Sequence, residues 1–231
     1  MEYKSKGYTV FTVFNYIILT FIGLVCLYPL YYVVIASFSD PVKLISHDGL
    51  LLLPLKNYTL DGYRMVFQNK LVMSGYKNTL IVLVAGVCIN MLLTILGAYV
   101  ISQRQLMLRK PLTIFIIITM YFSGGMIPLY LVVKGVGLYG SRWALILPMV
   151  VSPYNTFVLK SNFESVPDSL EEAARIDGAS FTRILSSVII PVSKAGIATI
   201  VIFTAVSYWN RYFDALMYIT KQRLKPAALL L

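Results

Sequence analysis

Long stretches of the chain carry no Asp, Glu, Lys or Arg, and their lengths set the first expectation. Residues 7–39, 78–103 and 111–133 are each charge-free, and each exceeds the ~20 apolar residues an α-helix needs to cross a hydrocarbon core. The stretch 143–159, between Arg142 and Lys160, has 17 residues and lies at the short end of that range, giving a fourth crossing. A fifth covers 195–210 and lengthens if it starts near Ile184, with Lys194 snorkelling to the interface. The pattern predicts an all-α polytopic transmembrane helix bundle with five crossings. It forms a single domain over 1–231, with one charged cytoplasmic segment at about 161–193.

Composition agrees with a membrane protein. The chain is 58% hydrophobic and 13% charged, against about 25% charged in soluble domains. The leading apolar run follows six residues, outruns a signal-peptide core and meets no small-residue cleavage site before Asp40, so it is expected to stay as a first helix. The connector QRQLMLRK at 103–110 places three positive charges and no acid between two crossings, which favours a cytoplasmic N-terminus under the positive-inside rule. The net charge of +10 is scattered over loops on both faces, a pattern that suits anionic lipid headgroups rather than nucleic acid. Cys26 and Cys88 sit inside apolar runs and are read as packing residues.

Several chemistries lack their residues. The single histidine, His47, lies in a loop, so neither a metal cluster nor a His-based catalytic pair is expected, and no cofactor. No Gly-x4-Gly-Lys-Ser/Thr phosphate loop occurs, so energy from ATP must come through a partner. The first four crossings hold no ionisable group that would serve a proton or sodium relay. A transported solute is then expected to be neutral or handled by hydroxyls and amides.

The charged segment reads SLEEAARIDGASFTRILSSVIIP at 169–191. Asp168 is placed to cap a helix with Glu171 at its N3 position, after Pro167. Leu170, Ala173, Ala174 and Asp177 follow helical spacing, with Glu171, Glu172 and Arg175 flanking them. Gly178 ends the helix in the left-handed conformation, and Ser180 is placed to cap a second one. Such a helix suits docking against another surface, and a plain helix lying on the membrane suits the same residues.

Glu172-Ala173-Ala174, three residues, Gly178, nine residues, then Val188-Ile189-Ile190-Pro191 resembles the Glu-Ala-Ala-x3-Gly-x9-Ile-x-Leu-Pro signature of the membrane subunits of binding-protein-dependent ABC importers. Val188 replaces the usual Ile, and Ile190 the usual Leu. SFSDP at 37–41, FSGGMIPLYLVVKGVGLYGSRWALILP at 122–148, PDSLEEAARIDGAS at 167–180 and the Trp209-Asn210 pair are similar to the carbohydrate branch. That branch comprises the second membrane subunit of maltose-type importers and its Gram-positive oligosaccharide-importer relatives. The resemblance implies a cytoplasmic ATP-binding subunit dimer, a second homologous membrane subunit, an extracellular solute-binding protein and a bacterial plasma membrane. It assigns ATPase coupling to Leu170, Glu171, Glu172, Ala173, Ala174, Arg175, Asp177 and Gly178. The family also has a sixth crossing, whereas this sequence closes on KPAALLL in what corresponds to the loop before it.

For a pathway, Gly86, Asn90 and Thr94 recur every four residues with Gly97 close by, a stripe that serves close helix packing or a channel lining. Ser152, Tyr154, Asn155 and Thr156 stand beside Pro148 and Pro153, predicting a bent fourth helix with polar groups at depth. Tyr208, Trp209, Asn210 and Tyr212 close the fifth crossing, as an interfacial belt or as a sugar-stacking face. The pathway candidates are Asn90, Tyr154, Asn155, Trp209 and Asn210. The loop 40–77, with PLKNYTLDGYRMVF at its middle, serves either as a connector or as a contact for the binding protein. A secondary carrier and a membrane-embedded lipid-processing enzyme are the alternatives, and both lack the ionisable constellations they need. The sequence does not separate a disaccharide, a pectin fragment, a uronic-acid oligomer and a nonsugar ligand.

Overall fold

A computed structural model of the chain describes residues 6–55 and 58–230. Lys4 of the N-terminal flank, Lys56 and Asn57 of the 40–77 loop, and Leu231 lie outside the described residues. Every regular element among the described residues is helical, as the apolar runs predict. The chain separates into two compact units, 1–70 and 71–231.

In the first unit, α1 (Lys6–Ser37) carries Pro29 within it, and α2 (Pro41–Ile45) and α3 (Asp61–Gln68) are short. The side chain of Asp40 caps α2 by accepting from Val42 N at 3.0 Å, and Pro41 occupies the first helical position, where no N–H is needed. The following segment folds back onto the end of α1. Leu51 N donates to the Tyr28 hydroxyl at 2.9 Å, the Tyr31 hydroxyl donates to the Leu52 carbonyl at 2.5 Å, and Leu55 N donates to Ser39 Oγ at 3.2 Å. Leu51 and Ser39 are buried as a result.

The second unit is organised on α4 (Lys70–Ser102), which begins at Lys70 rather than near 78. After it come α5 (Arg109–Tyr121), α6 (Met126–Gly135), α7 (Trp143–Ile146), α8 (Pro153–Glu164), α9 (Asp168–Ile176) and α10 (Phe181–Ile184). A π-helical turn at Leu185–Ile189 leads into α11 (Ile190–Val192), α12 (Lys194–Trp209), α13 (Tyr212–Tyr218), a 3-10 turn at Gln222–Leu224 and α14 (Ala227–Leu230).

Two helices are long and apolar enough to cross a membrane, Gly7–Ser37 and Lys70–Ser102. The other expected crossings are not continuous helices. The run 111–133 breaks between α5 and α6 with a bend of 111°, where Gly125 takes φ +82 and its N–H donates to Ser123 Oγ at 3.2 Å. Only glycine holds that conformation without strain, so Gly125 opens the helix here. The run 143–159 is divided at 147–152. Pro153 restarts the chain as the first residue of α8, with Ser152 Oγ accepting from Asn155 N at 3.3 Å. The last run bends by 84° between Val192 and Lys194. There Pro191 has no N–H to continue the ladder, and the preceding turn widens to π geometry.

Two apolar clusters hold the second unit. One gathers Met91, Tyr99, Leu159, Phe163, Ile184, Ile189 and Ile200; the other gathers Val82, Val133, Leu145, Tyr208 and Tyr218. Close approaches fix them. A Cβ on Gly86 would stand 2.5 Å from Tyr208 Cζ, and one on Gly196 would stand 2.5 Å from Asn162 Cγ. Near the start of α4, Asn78 Nδ2 donates to the carbonyls of Arg223 (2.8 Å) and Lys225 (3.1 Å), and Asn78 Oδ1 accepts from Arg142 Nη2 at 2.8 Å. Thr79 Oγ1 accepts from Ala227 N at 2.9 Å.

Candidate coupling segment and buried polar network

The segment after α8 forms helix α9, a tight corner and α10. Its start differs from the expected cap. Pro167 holds the cap position without a side-chain bond. The Asp168 carboxylate lies in the first helical turn and pairs with Arg104 at 3.0 Å across the α4–α5 connector. Acidic groups in a first turn still complement the positive end of the helix dipole. The end is as expected: Gly178 takes φ +76, Gly178 N donates to the Arg175 carbonyl at 3.0 Å and Ala179 N donates to the Ala174 carbonyl at 2.9 Å. These two bonds are the Schellman closure. Ser180 precedes α10 in extended conformation, but its hydroxyl meets Thr182 Oγ1 at 3.1 Å instead of capping the backbone.

The eight segment residues divide between two directions. Arg175 donates to Gln105 Oε1 and Gln103 Oε1, each at 2.9 Å, and to Glu171 Oε2 at 3.3 Å. Its guanidinium also lies 5.4 Å from the Phe181 ring centroid. Glu171 accepts from Gln103 Nε2 at 3.4 Å. Ala174 is half-buried against the first apolar cluster. Glu171, Ala174 and Arg175 therefore fasten α9 to its own chain. Leu170, Glu172, Ala173, Asp177 and Gly178 are exposed, and Ile176 beside them is 86% exposed. The Ala pair is split between the faces. Beneath the segment, Glu164 on α8 pairs with Lys160 at 2.9 Å and with Arg109 of α5, while Arg109 Nε donates to the Ile101 carbonyl at 3.1 Å.

The polar stripe of α4 meets α12. Asn90 Nδ2 donates to the Val150 carbonyl at 2.7 Å, and Asn90 Oδ1 accepts from Thr94 and Thr204, both at 3.3 Å. Asn155 Nδ2 donates to Thr204 Oγ1 at 3.4 Å. Asn90 and Asn155 thus join one buried network through Thr204, and in an apolar setting those bonds remove the cost of unpaired amides. With Gly86 against Tyr208, the stripe packs helices closely. Tyr154, Trp209 and Asn210 are exposed, and no side-chain hydrogen bond ties them to this network among the described residues.

Sequence reasoning passed over Gln103, Gln105, Thr204 and Arg211. A basic connector lacking acids, near a segment holding Asp168, Glu171 and Glu172, signals the first pair by charge complementarity. Arg211 is the first charge after the fifth apolar run. Its Nη1 donates to the Leu145 carbonyl at 2.6 Å, and its guanidinium lies 4.1 Å from the Tyr208 ring centroid.

Comparison with known proteins bears on this geometry. Residues 104–224 match the family model described as the binding-protein-dependent transport system inner membrane component. The chain is 39% identical over 221 residues to the polygalacturonan/rhamnogalacturonan transport system permease protein YtcP of Bacillus subtilis (strain 168), covering 96% of this chain and 77% of that protein. It is 36% identical over 229 residues to protein LplC of the same organism, covering 99% and 77%. A crystal structure of a bacterial ABC transporter involved in import of the acidic polysaccharide alginate superposes with a TM-score of 0.94 at 30% identity, covering 100% of this chain and 81% of that one. In general terms this family works with an ATPase and a solute-binding protein. The chain belongs to the inner membrane components of binding-protein-dependent transport systems and is a multi-pass permease subunit of an ABC importer.

Proposed function

We propose that the chain is the membrane-spanning subunit that forms half of the translocation pathway of an ATP-driven carbohydrate importer, with an oligosaccharide as cargo. It sits in a bacterial plasma membrane as one transmembrane domain with its N-terminus cytoplasmic. It pairs with a second homologous membrane subunit and receives solute from an extracellular binding protein. It carries no nucleotide site and takes its driving force from a cytoplasmic ATPase dimer through the 169–178 helix.

The observation that carries the coupling role is the two-sided build of α9. One side is fastened by Arg175 and Glu171 to Gln103 and Gln105, so a force on the helix reaches α4 and α5 instead of swinging a loose loop. The other side leaves Leu170, Glu172, Ala173 and Ile176 uncovered, a small apolar face with a polar rim suited to a cleft on another subunit. Rocking of rigid helix groups between inward- and outward-open states then follows from ATPase closure. The names of the relatives support the cargo: YtcP is a permease protein for polygalacturonan and rhamnogalacturonan.

Copurification from membranes tests the assembly. An ATPase and a second membrane subunit should accompany the tagged chain, and a cysteine placed at Ala173 should crosslink to the ATPase. Crosslinks from Ala173 to lipid alone, or a 169–178 segment labelled from outside intact cells, would refute the proposal.

A further inference from the structure

A cavity of about 360 Å³ opens between the start of α8 and the second half of α12. Its polar lining is neutral except at one place. Asn90, Ser152, Asn155, Thr204 and Ser207 contribute amides and hydroxyls, and Arg211 contributes a full positive charge. The guanidinium side chain is 9% exposed. Burying a cation is costly unless hydrogen bonds and a counter-charge compensate.

Compensation here is partial. Nη1 alone is engaged, with the Leu145 carbonyl at 2.6 Å. The Asp214 carboxylate stands 4.0 Å from that same Nη1. Nε and Nη2 make no hydrogen bond with the described residues, and the Tyr208 ring holds the plane of the group from its face. A guanidinium fixed at one nitrogen, stacked on a ring and left with two adjacent donors matches the fork that binds a carboxylate bidentately. The amides and hydroxyls around it suit a polyol.

We propose that Arg211 is the specificity-determining residue for a carboxylated sugar, a uronate unit of an oligosaccharide, held in this cavity with its carboxylate on the free guanidinium donors and its hydroxyls on Asn155 and Ser207. This inference rests on the carbohydrate-importer reading and names its substrate class. It also reverses the expectation of a neutral solute, which rested on the first four crossings and left out the end of the fifth run.

The test uses the complete complex, with ATPase, second membrane subunit and binding protein, in proteoliposomes. Two probes are taken up in parallel, trigalacturonate and the same trimer with its carboxyls methyl-esterified. Because the binding protein is common to all variants, its own preference cancels when each variant's charged-to-esterified ratio is divided by that of the unaltered complex. Arg211→Gln should lower this ratio by about tenfold or more, the usual worth of a charge-assisted bond, and Arg211→Lys should lower it less. Ser207→Asp places an anion in the same cavity while keeping Arg211 itself, so it keeps the test decisive if Arg211→Gln fails to assemble. It should lower the ratio as well. A ratio unchanged in these variants, with the unaltered complex importing both trimers, overturns the inference and leaves the carbohydrate reading standing. Absence of uptake of either trimer by the unaltered complex, with another class of solute imported, overturns both.

Discussion

Gly178 holds φ +76 with open space where a Cβ would stand, so a substitution there acts through backbone strain alone. A β-branched residue costs about 1–2 kcal/mol in that conformation and tilts the corner that sets α9 against α10. Gly178→Val should therefore leave assembly intact and uncouple hydrolysis from uptake, read as a fall in solute moved per ATP in proteoliposomes. Gly86 is the opposite case, because its φ is ordinary and its space is filled by Tyr208. Gly86→Val should destabilise the detergent-solubilised chain by about 1–3 kcal/mol through overpacking, seen as a lower thermal midpoint. The Gly178 corner was legible in the sequence, since glycine after a charged helical run has one common use. The Gly86 contact was legible only as a small-residue stripe, because its partner lies more than a hundred positions away.

At the scale of elements, α9 depends on the bonds that Arg175 and Glu171 make to the 103–105 connector. The one ion pair among them, Arg175–Glu171, is partly buried and of the kind that contributes little alone, but Arg175 also bonds Gln103 and Gln105 and stacks near Phe181. Arg175→Ala should raise hydrogen exchange across 168–176 while leaving the distant α13 unchanged, and should lower uptake more than it lowers assembly. The helical content of these elements followed from charge-free runs; α1 matches its run closely, and α4 ends with its run but starts eight residues earlier, at Lys70. The interruption at 147–152 falls where Pro148 and Pro153 predict a bend in the fourth run, whereas the breaks at 122–125 and 193 did not follow from run length, although Gly124-Gly125 and Pro191 mark them. A charge count treats glycine and proline as apolar filler, whereas the backbone responds to φ and to the missing donor. Asn90 and Asn155 were singled out as pathway residues, and their mutual tie through Thr204 depends on a crossing of three helices that no local pattern encodes.

For the whole molecule, the two faces of α9 predict a difference between neighbouring positions. Cysteine at Ala173 should crosslink to the ATPase, while cysteine at Ala174, turned toward the apolar cluster with Ile184, should not; mass spectrometry of the linked peptides separates them. The fold class and family membership were readable in the sequence because they rest on run length and one spaced signature. The charge of Arg211 was readable too, yet its burial and free donors needed the Leu145 and Tyr208 contacts. One helix also ties the extremes of the second unit together. Asn78, near one end of α4, grips the backbone at 223 and 225, and Gln103, just past the other end, holds Arg175. The two positions lie 25 residues apart (103 − 78), or about 38 Å at helical rise. Because α4 has no proline and no break over that distance, it acts as a push-rod: displacement delivered to its Gln103 end arrives at the 223–227 segment with little lost to bending between them.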